Sequence, residues 1–313
     1  MGRAAYIRRR LFLMIFVVFG VTIVIFGMVH FLPGDPAALL LGDRATVQNI
    51  ASLREQLGLN RPLPEQYWLF ISGLARGQMG TSLMFSQPVN QMVLSRLPIT
   101  IGLAVYAMVL AALITLIFGL LAAVNKGRWI DQVIRVVFLF ILTTPNFWFG
   151  ILLILVLSLA LKWFPVAGFG ATLPEHIWYL FLPALTLGLQ LSAVLIRNLR
   201  SQVIVTLRSD FVRTANAKGL PEHLVLVRHV LRNALLSTVT IFGLQFGFLV
   251  GGALVIETVF AVPGLGQLLF TSISSRDYPV VQAITVVTAV LVIVVNLLVD
   301  LSYSFLDPRV TYE

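Results

Sequence analysis

Six stretches of this chain are apolar over 20 residues or more: 11–31, 98–124, 133–161, 178–199, 237–260 and 279–304. Runs of about 20 apolar residues match the hydrocarbon thickness of a bilayer. Water is absent there, so a spanning segment must pair its own backbone groups, and a helix is the simplest way to do so. Charged residues make up only 11% of the chain, against roughly 25% in soluble domains. The expected class is all-α: a polytopic helical membrane protein with six transmembrane helices, and not a soluble α/β enzyme.

The net charge of +9 raises the question of nucleic acid, and its distribution answers it. Lys and Arg cluster in short segments between apolar runs, with no basic face interleaved with aromatics, so no nucleic-acid partner is expected. Arg3, Arg8, Arg9 and Arg10 precede the first run, which is longer than the core of a signal peptide and lacks a small-residue cleavage site. It is expected to be retained as a span. With six spans both termini share a side, and 15 of the 22 basic residues then fall on that side against 7 on the other. The positive-inside rule makes the 15-residue side, with both termini, cytoplasmic. The outer segment, 32–97, holds a candidate amphipathic helix with Ile50, Leu53 and Leu57 on one stripe, ended by Gly58. A second stretch carries Tyr67, Trp68, Phe70 and Ile71, suited to a helix lying on its own membrane domain.

Chemistry-bearing patterns are absent. There is no G-x-x-x-x-G-K-[ST] loop, the G-x-G of Pro263–Gln267 sits between spans without a strand, and His223 and His229 lie on different helix faces. With no cysteine, thiol catalysis and Cys-ligated metal are excluded. No catalytic or metal site is expected, and the chain is read as no enzyme. Glu257 and Asp300 fall near span ends, whereas the span middles carry neutral polar groups: Asn146 beside Pro145, Gln190, Gln245 and Asn296. Such groups serve either interhelical hydrogen bonds or a translocation path. Neither a nucleotide site nor a proton wire is visible, so uphill transport would need a partner's energy.

The stretch 210–235 is a different matter. Asp210 to Lys218 reads as a short helix stopped by Gly219 in a left-handed cap, and Pro221 with Glu222 restarts a helix. Beyond it Leu224, Val227, Leu231 and Leu235 form one stripe, and Arg228 with Arg232 another. Three readings stand: a basic amphipathic segment on anionic lipid, a topology signal, or a docking knob for another protein.

The residues Asp210-Phe211-Val212-Arg213-Thr214-Ala215-Asn216-Ala217-Lys218-Gly219, followed by Arg228-His229-Val230-Leu231-Arg232-Asn233-Ala234, resemble the "EAA" coupling loop of bacterial ABC-import permeases in its peptide-importer form. The stretches His30–Ala37, Leu57–Leu63, Glu257–Leu269, Arg276–Gln282 and Val295–Val310 resemble the same family, so the likeness covers nearly the whole chain. It is nearest to the first permease of the pair in dipeptide, oligopeptide and glutathione importers. Asn216 stands where the family often has Arg, and Ser237 where Pro is common. Ser237 can cap a helix start, so a break before the fifth span is expected.

The resemblance implies a type I ABC importer permease fold, with residues 1–97 as first span and outer loop, and 98–313 as a core permease domain whose coupling loop covers about 204–235. It implies a homologous second permease, two cytoplasmic ATPases that bind ATP and Mg, an extracytoplasmic solute-binding protein, and a place in the bacterial inner membrane. No cofactor is expected in this chain. The resemblance assigns ATPase coupling to Arg213, Thr214, Ala215, Ala217, Lys218 and Gly219, with Arg213 and Lys218 as salt-bridge formers. Asn146, Gln190 and Gln245 are candidates for lining the pathway of a peptide. Nickel chelates or opines are alternative cargoes, and a self-sufficient channel or secondary transporter is the competing class.

Overall fold

A computed structural model describes residues 3–31, 36–41, 45–56, 58–82 and 84–306. Pro33, Gly34 and Asp35 of the first quoted motif, Arg44, Leu57 and Arg309 lie outside the described residues, as do the side chains of Arg3, Arg8, Arg9, Arg10, His30, Leu53 and Asp300. The helices are α1 (Arg3–Phe31), α2 (Pro36–Leu41), α3 (Val47–Gln56), α4 (Leu63–Ala75), α5 (Val89–Val124), α6 (Trp129–Thr143) and α7 (Asn146–Ala160), then α8 (Leu173–Thr206) and α9 (Asp210–Ala217). After these come α10 (Glu222–Leu244), α11 (Phe246–Val259), α12 (Leu265–Ser274) and α13 (Tyr278–Leu306). Among the described residues four helices, α5, α8, α10 and α13, are each long and apolar enough to cross a membrane, and the α6–α7 pair makes a fifth if counted as one span. The chain is a multi-pass membrane protein.

The described residues divide into two compact units, one holding α1–α4, the start of α5, α12 and most of α13, the other holding the rest of α5 through α11 and the end of α13. In the first unit α4 lies on α1. Tyr67 hydrogen-bonds Thr22 at 2.9 Å and meets the rings of Phe19 and Phe26 at 5.9 and 5.3 Å, while Trp68 stays exposed. The expected aromatic helix therefore packs on its own membrane domain. Helix α3 ends where Gly58 takes φ +67°. A buried clasp fixes the outer segment: the Ser82 hydroxyl donates to Asp277 Oδ2 at 2.5 Å, and Met84 N–H donates to the same oxygen at 3.3 Å.

In the second unit α8 is the central helix. It begins at Leu173, five residues before the apolar run, because Thr172 N–H donates to Glu175 at 3.3 Å and extends the first turn outward. Its small residues allow close approach to α5. A Cβ added at Gly188 would stand 2.9 Å from the backbone oxygen of Ala107 and 3.4 Å from the nitrogen of Ala111. Ala184 and Ser192, one turn either side, are fully buried, as are Ala107 and Ala111. Lipid already solvates apolar side chains, so helices associate through such close van der Waals contact.

Two expected spans are built differently. The run 133–161 is not one helix: α6 and α7 meet at a 113° bend. Thr144 and Pro145 both take extended backbone, with ψ 134° and 137°. Proline lacks the N–H to continue the ladder and forces its predecessor out of the helical region, which ends α6 at Thr143. The break expected before the fifth span is missing. Helix α10 runs from Glu222 to Leu244 without interruption, and Ser237 lies inside it, 3.5 Å from Asn198, and not at a cap. No proline or glycine occurs between Leu224 and Phe242 to stop it. The junction falls instead at Gln245, φ −76° and ψ −10°.

Replacing Gly188 with Val is expected to destabilise the folded chain by about 2 kcal/mol, because the clash is with backbone that cannot rotate away. Gly102→Ala, where a Cβ meets nothing within 4 Å, is expected to be neutral or slightly stabilising. Thermal unfolding in detergent checks the pair.

Candidate functional site

The elbow at α9–α10 is built from a buried base and an exposed tip. Helix α9 is short and amphipathic, and Val212 and Ala215 point inward. They pack with Leu199 and Val203 of α8, Ala123 of α5, and Val225, Val230 and Ala234 of α10. Gly219 ends the turn at φ +74°, the left-handed conformation expected of a C-cap glycine, and nothing lies within 4 Å of the position of a Cβ there. Arg213, Thr214, Asn216, Ala217, Lys218 and Gly219 are all exposed. Ala215 is not: at 5% exposure it belongs to the base, so this member of the expected contact set faces the protein's own core.

The stripe expected on α10 also shifts. Val225, Val230 and Ala234 are buried while Val227 is 61% exposed. Residues Val225–Leu231 form a π-helical segment. The wider turn inserts an extra residue, so the inward positions are spaced five and then four apart and the simple 3.6-residue phase fails. Arg228 and Arg232 remain exposed as expected, and with Arg208, Arg213 and Lys218 they make the elbow surface basic. Arg213 touches Asp210 at 3.6 Å with both side chains largely exposed. Such a pair is worth under about 1 kcal/mol, so Arg213 can exchange that partner for another carboxylate.

Sequence reasoning missed the strongest polar contact of this region. Asp131, in the first turn of α6, is fully buried and receives a bidentate pair from Arg200 of α8: Nε to Oδ1 at 2.7 Å and Nη2 to Oδ2 at 2.6 Å. Gly127 N–H donates to the same carboxylate at 2.9 Å, and Arg135 approaches at 3.4 Å. In the sequence Arg200 reads only as one of the positive charges that orient the chain. The available signal was a lone carboxylate inside a basic turn, which needs a partner if it is buried. Nearby, Thr238 of α10 donates to Asn198 Oδ1 of α8 at 3.1 Å. The elbow base thus packs directly on α5, α8 and α10, and α8 is tied in turn to α6.

Asn146, Gln190 and Gln245, far apart in sequence, line one cavity of about 160 Å³. Gln190 stands at the middle of α8, Asn146 follows the Thr144–Pro145 break, and Gln245 is the α10–α11 junction. Gln190 Nε2 donates to the carbonyl of Thr144 at 2.6 Å, satisfying an oxygen that the break leaves without a helical partner. Asn146 Oδ1 is buried with no hydrogen-bond partner among the described residues. Gly252 was also missed: a side chain there would come within 3.3 Å of Asn146 Nδ2. Leu187, Leu191 and Phe248 supply apolar wall.

Comparison with known proteins gives a consistent result. The family described as "Binding-protein-dependent transport system inner membrane component" matches residues 115–312, and its N-terminal counterpart matches 4–104. The dipeptide transport system permease protein DppB of Alkalihalophilus pseudofirmus is 38% identical, over 98% of this chain and 99% of that protein. The glutathione transport system permease protein GsiC of Escherichia coli is 41% identical over the same shares. Among solved structures, a chain of the inward-facing MetNI methionine ABC transporter aligns with TM-score 0.55 at 15% identity, covering 71% of this chain and 97% of that one. A chain of an amino acid ABC transporter aligns with TM-score 0.54 at 16% identity, covering 69% and 94%.

Asp131→Asn keeps the shape but leaves Arg200 facing a neutral group. A destabilisation of about 3 kcal/mol is expected, as for breaking a buried pair. Arg135→Ala, at an exposed position, should cost less than about 1 kcal/mol. Denaturant unfolding in mixed micelles separates the two.

Proposed function

Because the chain belongs to the family of binding-protein-dependent transport system inner membrane components, we propose that it is the permease subunit of an ATP-driven importer of di- and oligopeptides. The peptide cargo is supported by the near full-length likeness to a dipeptide and a glutathione permease. The chain sits in the bacterial inner membrane with both termini in the cytoplasm. It pairs with a homologous second permease, and a solute-binding protein delivers cargo from outside. Two cytoplasmic ATPases hold ATP and Mg, so this chain needs no cofactor of its own.

One observation carries the coupling role: an exposed tip of small and basic residues is mounted on a buried apolar base. A tip that small lets a partner approach the backbone closely. Arg213 and Lys218 pair with carboxylates of an ATPase cleft, Thr214, Ala217 and Gly219 shape the contact, and Ala215 supports it from beneath. Moving a two-state permease from 1:99 to 99:1 takes about 5.5 kcal/mol, and ATP-driven closure of the ATPases supplies it. The transmitting links must survive that load. The exposed Asp210–Arg213 pair would yield, whereas separating Asp131 from Arg200 costs about 3–5 kcal/mol. Displacement of the elbow therefore carries α8 and α6 with it, and the Thr144–Pro145 and Gln245 junctions absorb the change beside a pathway lined by Asn146, Gln190 and Gln245.

Gly219→Val tests the coupling. A Cβ there meets nothing within 4 Å among the described residues, so the added bulk acts on the docked partner, together with about 1–2 kcal/mol of backbone strain. In proteoliposomes holding the complete complex, the variant should still co-purify with the ATPases and hydrolyse ATP while peptide uptake falls at least tenfold. Uptake at the parent rate would remove the elbow from the coupling path.

A further inference from the structure

The cavity between the two helix junctions carries a hydrogen-bonding pattern that its structural role leaves unspent. Gln190 commits its amide nitrogen to Thr144, but its Oε1 has no partner among the described residues. Gln245 commits only its backbone: its N–H donates to Ile241 O at 3.1 Å and its carbonyl accepts from Leu249 N–H at 3.0 Å. No hydrogen bond engages its side-chain amide among the described residues. Both glutamines line the cavity together with Asn146, whose own Oδ1 is closed to solvent. No charged side chain lines the space. Both side chains are half-exposed, so water can serve their free groups until a solute with matching groups displaces it.

Size and shape narrow what that visitor is. At about 160 Å³ the space compares with the roughly 150 Å³ that holds a benzene-sized molecule, enough for one peptide unit with a small side chain beside the two carboxamides. A trans peptide unit points its N–H and C=O in opposite directions, so reading both takes groups on two different elements. Gln190 on α8 and Gln245 at the α10–α11 junction are such a pair, and Phe248 and Leu249 give an adjacent side chain an apolar surface. The lack of charge means that amino and carboxyl termini find no counter-ion here.

We infer that Gln190 and Gln245 form a station for a single neutral peptide unit, recognising the backbone amide and not the side chain or the termini. Gln190 Oε1 accepts the solute N–H, and the Gln245 amide donates to the solute C=O. This rests on the reading of the chain as a peptide permease. It adds that successive peptide units are read one at a time by the same two side chains, so passage depends little on sequence or charge.

The chain has no cysteine, so Phe248→Cys places a single reporter thiol on this chain at the cavity wall. The assembled complex, in detergent, without ATP or binding protein, is treated with a maleimide in the presence of dialanine, and labelling is read on this chain alone. Dialanine should slow labelling, and its depsi-analogue, with an ester oxygen in place of N–H, should protect several-fold less well. Adding Gln245→Leu, which breaks no hydrogen bond of the fold, should raise the half-protecting dialanine concentration about fivefold, as expected for one lost neutral hydrogen bond. Adding Gln190→Leu should erase the difference between dialanine and the ester. Absence of protection, or equal protection with and without Gln245, overturns the station. The peptide reading is tested apart from it: if the parent complex takes up dialanine in proteoliposomes but the thiol is never protected, only the station fails. If there is no dialanine uptake, the reading beneath it fails.

Discussion

The larger unit depends on how closely its neighbours can approach one helix. In lipid the hydrophobic effect does not press helices together, so α8 must be held by fitted surfaces and by polar pairs. Gly188 admits the backbone of α5 at Ala107, and Gly119 of α5 leaves room for Leu199 lower down, where a Cβ would stand 2.9 Å from a leucine methyl. Asn198 reaches Thr238 on α10, and Arg200 grips Asp131 on α6. Asn198, Leu199 and Arg200 are consecutive residues, so a single turn fastens one end of α8 on three sides while its middle borders a cavity.

That gradient has a mechanical meaning. The elbow base, with Val212 and Ala215 packed against Leu199 and Val203, is continuous with the fastened end of α8. Between the elbow base and the Thr144–Pro145 break the packed contacts of α8 form a continuous path. A broken helix frees backbone polar groups, and in a membrane these are tolerated only where other protein groups or a water-filled cavity satisfy them. Gln190 serves the freed carbonyl of Thr144 and still faces the open space. At Thr144 the break and the polar cavity coincide for one reason, that the helical ladder stops there, whereas at Gln245 the ladder runs on.

Much of the elbow was legible in the sequence because its signals are local. Gly219 as a left-handed cap, the short helix ahead of it and the basic exposed surface follow from residues within one or two turns. The mid-depth polar groups were legible too, since Asn146, Gln190 and Gln245 stand out in apolar runs. The expected stripe on α10 failed because a π-helical turn changes the period without any proline or glycine to announce it. Ser237 misled for a related reason: a serine that can cap a helix start also sits comfortably inside a helix when another helix offers its hydroxyl a partner.

The sequence by itself determined the class of molecule, the number and order of its apolar runs, and the place where the basic, glycine-stopped elbow at 210–235 interrupts them. Hydropathy and capping depend on residues close in the chain, so they need no knowledge of what packs where. Only the tertiary structure decided that Asp131 and Arg200, 69 positions apart, share a buried ion pair, that Ala215 supports the elbow from inside, and that three scattered carboxamides border one cavity. Those outcomes depend on which helix faces approach each other. That is set by small residues and helix breaks acting over the whole bundle, and no local pattern carries it.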